Sequence, residues 1–116
     1  LRLRRHAEVY RGSFAISVCP SENVESPTIV GAQAANELLN IIGIKASFVL
    51  TEYNDKIYIS SRSIDEINVQ IIMEKLGGGG HLNVAGAQLE GVTIVQAKRM
   101  IQDTLDEMLK EGDIEE

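Results

Sequence analysis

The 116-residue sequence carries 17 acidic against 11 basic side chains, for a formal net charge of −6, and is 44% hydrophobic, which suits one soluble globular domain with a core of its own. That charge has the wrong sign for a protein whose affinity comes from neutralising phosphates along a duplex, so duplex nucleic acid is not an expected partner. Aromatics make up 4% with no Trp, and Cys19 is the only cysteine, so stacking platforms for single strands are not evident, an intrachain disulfide is excluded, and a cytoplasmic setting is expected.

Residues 1–12 hold Arg2, Arg4, Arg5 and Arg11 against Glu8, and the spacing of Leu3, Ala7 and Tyr10 predicts a linker or the end of an upstream helix. The missing initiator Met agrees with a piece of a longer protein. No apolar region follows the basic start, so it is not a signal peptide, and no apolar run reaches the roughly 18 residues of a spanning helix. His6 has no neighbour that would complete a metal site. Phe14–Val18 is β-rich and alternating, a first strand closed by Pro20-Ser21. Cys19 at its end lacks any motif for a base or an oxyanion site and reads as a buried structural thiol.

Ser26-Pro27 suits an N-cap followed by proline at the first helical position, and Val30, Ala34, Leu38 and Ile41 recur at helical spacing as far as Gly43. Residues 46–51 and 57–60 form two strands of a hairpin turning at Asn54-Asp55-Lys56. At its exit stands Ser60-Ser61-Arg62-Ser63, either a set of ligand contacts at a strand end or a surface arginine among turn-forming serines.

Asn68 caps a short helix with Val69, Ile72, Met73 and Leu76 as its apolar stripe. Gly77-Gly78-Gly79-Gly80-His81 follows. One glycine ends a helix, and each further one adds backbone entropy lost on folding, so no packing argument asks for four. Bare backbone N–H groups with a histidine beside them suit a phosphate cradle; a helix cap followed by a flexible linker is the competing reading, and glycine content leaves both open. No Gly-Lys-Ser/Thr follows, so this is not a P-loop. The small residues Val84–Ala87 pack under the loop, and Gln88-Leu89 is expected as a last strand. Thr93 and Gln96 form a capping box ahead of a stripe of Ile94, Ala97, Ile101, Leu105 and Met108. Asp106 and Lys110 are spaced for an i,i+4 pair. Gly112 stops the helix before an acidic tail, 113–116, read as solvated and disordered.

The expected fold is α/β (α+β), a small mixed sheet of about four strands with three or four helices in the order βαββαβα, built from residues 13–112.

Residues 57–91, with Ser60–Ser63 at a strand end, Asn68-Val69, the glycine run with His81, and Ala85-Gly86-Ala87, resemble the DHH-associated domain. This is the C-terminal substrate-binding domain of the DHH phosphoesterases. Glu66–Gln70 and Met73–Leu76 ahead of four glycines look most like the GdpP-type cyclic-di-AMP phosphodiesterases, and the resemblance runs from about Phe14 to Gly112. It implies metal-dependent hydrolysis of cyclic di-AMP to a linear dinucleotide. The manganese pair would be held by Asp and His residues of an upstream DHH catalytic domain that this sequence lacks, so no catalytic or metal residue and no cofactor is expected here. Matched residue by residue, Gly78, Gly79, Gly80 and His81 correspond to the motif that contacts substrate phosphate, and Arg62 to the arginine facing the same cleft; Ser61, Asn68 and Asn83 are further candidates for ribose or base. Val84-Ala85-Gly86 departs from the two alanines that related sequences often carry before the glycine. The resemblance also implies a parent anchored in the plasma membrane and allows a homodimer of it. The alternatives are the same domain in an exonuclease acting on short oligonucleotides or single-stranded DNA, and a nucleotide-binding module without a catalytic partner.

Overall fold

The computed structural model describes residues 7–19 and 26–116; Arg2, Arg4, Arg5, His6 and the Pro20-Ser21 stop lie outside them. Six strands form one sheet: β1 (Glu8–Tyr10), β2 (Phe14–Cys19), β3 (Ala46–Tyr53), β4 (Lys56–Ser63), β5 (Gly79–His81) and β6 (Val84–Glu90). Three helices accompany them, α1 (Pro27–Leu38), α2 (Val69–Lys75) and α3 (Ile94–Glu111). The sheet order is β1-β2-β3-β4-β6-β5, with β2–β3 parallel and the other pairs antiparallel. The mixed α/β class stands, with two more strands than expected.

Both extra strands are short edges. Glu8–Tyr10, expected as linker or helix, pairs with Phe14–Ile16 because Arg11 and Gly12 turn the chain back with φ of 50° and 77°. β5 is made largely of glycine, which has no strand propensity, and pairing with β6 alone sets it. The β3–β4 hairpin turns through Asn54 and Asp55, both at positive φ (51° and 63°), the two-residue geometry that matches strand twist.

Alternation decides the two faces of the sheet. Phe14, Ile16, Phe48, Leu50, Ile57, Ile59, Ala85, Ala87 and Leu89 point to one face, where α2 and α3 cover them with Ile72, Met73, Ile101, Leu105 and Met108. On the other face Ala15, Cys19 and Val49 meet Ala34, Ala35 and Leu38 of α1, and α1 packs chiefly on β4, β3 and β2. The capping box of α3 forms as expected, with Thr93 Oγ1 accepting from the Gln96 amide and the Gln96 side chain from that of Thr93. α1 stops at Leu38 rather than Gly43, although Ile41 still packs on the same cluster.

The acidic tail is not free of the domain. Ile114 is buried in the main core, and Glu116 accepts from Arg11 and, through its carbonyl, from Lys45. One apolar side chain among the acids is enough to seat the segment. Asp106 does not pair with Lys110; it accepts from the Tyr10 hydroxyl and from Arg11 Nε, both at 2.7 Å.

Candidate functional site

Because α1 leaves β6 and β5 bare, the second face holds an open groove of about 620 Å³. Arg62, the four glycines and His81 all line it, together with Thr28 of α1, Tyr58, Ser60, Gly86 and Gln88. Residues 19 positions apart in sequence thus meet through strand pairing: Arg62 of β4 and His81 of β5 are both Cα partners of Val84. Neighbouring strands are about 4.8 Å apart, so the two backbones stand about 10 Å apart, a gap that an arginine and an imidazole can close over one phosphate.

The glycine loop has more packing reasons than its sequence suggests. The Gly77 N–H donates to Glu74 O at 3.1 Å and the Gly78 N–H to Met73 O at 2.8 Å, the paired bonds of a Schellman cap. A Cβ on Gly78 would collide with the Gly86 carbonyl, and one on Gly80, at φ +146°, would meet Val84 O at 2.5 Å. Gly79 alone within the loop has open space on its Cβ side and an ordinary φ. The expectation that packing asks for one glycine is therefore corrected: the loop lies flat against β6. The first two amides are committed to the cap. Those left to a ligand belong to β5, an edge strand whose alternate N–H groups face away from β6.

Arg62 supplies the charge. Its Nη1 donates to the Ser61 carbonyl at 2.8 Å, and among the described residues no carboxylate pairs with it. Partial burial pushes its pKa below the ordinary arginine value, as expected of a cation held away from bulk water with no counter-ion. Among the described residues no Asp or Glu lines the groove. Two further clefts contain Asp65, Glu66, Asp113 and Glu115, or Asp106, Glu115 and Glu116.

The three further candidates sit elsewhere. Ser61 is fully buried with its Oγ unpartnered, on the core face with Ile57 and Ile59, because it alternates with Ser60 and Arg62. Asn68 caps α2, its Oδ1 accepting from the Gln70 and Ile71 amides. Asn83 donates to Ser63 Oγ and Asp65 O and holds the β5–β6 turn against β4. Ser60, named with Arg62 at the strand end, does line the groove, whereas Tyr58, Thr28 and Gln88 are lining residues that sequence reasoning passed over. Period-two alternation back from Arg62 through Ser60 identifies Tyr58.

Cys19 is buried, and burial pushes its thiol pKa up, consistent with a structural thiol rather than a nucleophile. Among the described residues no three His, Cys, Asp or Glu side chains come together as a metal site. Among the described residues His81 has no carboxylate or thiolate beside it in the groove, a donor set that does not fit a metal.

Comparison with known proteins places the chain in a family. The chain is 46% identical over 106 residues to the cyclic-di-AMP phosphodiesterase PdeA of Listeria monocytogenes serotype 1/2a (strain 10403S), covering 90% of this chain and 16% of that protein. It is 37% identical over 113 residues to the cyclic-di-AMP phosphodiesterase GdpP of Bacillus subtilis (strain 168), covering 96% of this chain and 17% of that protein. The chain therefore spans about a sixth of the length of these relatives. An exopolyphosphatase-related protein from Bacteroides fragilis shares the fold, with a TM-score of 0.81 at 22% identity over 92% of this chain and 33% of that one. The DHHA1 domain profile matches residues 12–111. With that profile spanning residues 12–111 and relatives 37–46% identical over nearly its whole length, the chain belongs to the DHHA1 domain family.

Proposed function

We propose that the groove holds the phosphate of a cyclic dinucleotide, cyclic di-AMP, and that the chain serves as the substrate-binding part of a phosphodiesterase that opens the ring to a linear product. The observation that carries this reading is a cleft lined by Arg62 and His81 and, among the described residues, by no carboxylate, in a chain of net charge −6. An anion there meets a guanidinium, an imidazole and the outward amides of a glycine edge strand, donors that strengthen on a phosphate as charge builds in the transition state. Their role is electrostatic and orienting. The cyclic-di-AMP activity of relatives that share 37–46% identity supports the choice of substrate.

In this reading the attacking water and its activating manganese pair belong to a DHH catalytic domain, and the groove closes against that domain. The second reading, an exonuclease acting on oligonucleotides, needs a basic track along a strand, and no comparable cation cluster flanks the groove among the described residues.

The test is His81→Ala in the protein that carries this chain together with its catalytic domain, with cyclic di-AMP hydrolysis followed by chromatography. Loss of one transition-state donor lowers kcat by about 10- to 1000-fold. An unchanged kcat would remove His81 from the site.

A further inference from the structure

We propose that Tyr58 and Gln88 form a nucleobase subsite selective for adenine; the inference rests on the reading of the Arg62–His81 end of the groove as the phosphate end. The groove is graded along its length by strand register. Arg62, Val84 and His81 make one cross-strand row, Ser60, Gly86 and Gly79 the next on the same face, and Tyr58 with Gln88 the third. Two residues of strand advance about 6.6 Å, so about 13 Å separate the charged row from the third, enough for phosphate, sugar and base laid end to end.

Each row offers different chemistry. The middle row presents one hydroxyl and two glycines, a floor without side chains where a sugar can lie. The third row presents a ring and an amide. Phe14 and Phe48 are in the core, Tyr10 is held by Asp106, and Tyr53 ends β3 outside the groove lining, which leaves Tyr58 as the aromatic lining the groove. Its face can stack any base, a contact that is tolerant of sequence. Gln88, its cross-strand partner, is exposed and lines the same cleft. A primary amide both donates and accepts, which matches the N6 amino group and N7 of adenine; guanine offers two acceptors on that edge and forfeits one of the bonds. Thr28, in the first turn of α1, closes this end.

The experiment is an amide-resolved NMR titration of the chain with ribose 5-phosphate, AMP and GMP. Ribose 5-phosphate is expected to shift Gly79–His81 and Arg62 only. AMP is expected to shift Tyr58 and Gln88 as well and to bind about 5- to 100-fold tighter than the sugar phosphate, the range for one stacked base. GMP should fall between them, and Gln88→Leu should erase the preference of AMP over GMP. If all three compounds bind alike and leave Tyr58 and Gln88 unmoved, the subsite is overturned while the phosphate end stands. If ribose 5-phosphate leaves Gly79–His81 and Arg62 unmoved, the phosphate reading fails and the subsite fails with it.

Discussion

Gly78 and Gly80 press their bare α-carbons against the backbone of β6, and Gly79 does not. This difference predicts two outcomes for the same substitution at three positions. Gly78→Ala and Gly80→Ala force β5 away from β6, an overpacking cost of about 1–3 kcal/mol, and lower the Tm by about 5–15 °C. Gly79→Ala keeps the Tm within about 3 °C. Thermal melts by circular dichroism decide it, and a Gly79→Ala melt as low as the others would mean the loop does not lie against the sheet. The same scale explains which site residues could be read in advance. His81 and the glycines are adjacent in sequence and carry a recognisable spacing. Ser61, Asn68 and Asn83 are polar and near the motif, yet strand parity turns Ser61 into the core and local backbone groups take up the other two side chains.

Among the elements, β1 depends on α3. Tyr10 and Arg11 both donate to Asp106, Glu8 accepts from Gln102 and pairs with Lys98 at 2.8 Å. The Tyr10 hydroxyl first, and then Arg11, hold the Asp106 carboxyl below its ordinary pKa. A carboxyl depressed in the folded state contributes stability above its unfolded pKa of about 3.9 and loses it as pH falls through the folded value. Asp106 is partly exposed, so the contribution is small and screened by salt. The urea midpoint of the wild-type chain should therefore fall more between about pH 5 and pH 3 than that of Asp106→Asn; equal slopes would show that the clamp carries no linkage. None of this was legible beforehand. Helical spacing pairs Asp106 with Lys110, and only the Arg11-Gly12 turn, which makes residues 8–10 a strand, brings a phenol and a guanidinium to the same carboxylate. The long helix, with its capping box, stripe and terminal glycine, was legible because each of those signals is local.

For the whole molecule the decisive fact is that one helix covers half of a six-stranded face. The uncovered half carries donors for an anion but no metal ligand set among the described residues. The chain by itself, supplied with manganese and cyclic di-AMP, is accordingly expected to give no linear dinucleotide by chromatography; turnover by a pure preparation would place the catalytic machinery within these 116 residues. The β4–β6 pairing has a consequence of another kind. It aligns Arg62, Ser60 and Tyr58 with Val84, Gly86 and Gln88, while Ala85, Ala87 and Leu89 fill the core on the opposite face. A slip of one residue would exchange the two sets, exposing the apolar side chains and burying a glutamine amide. Only folded molecules with the correct register keep their core, so the hydrophobic free energy of one face acts as a proofreader for the chemistry of the other.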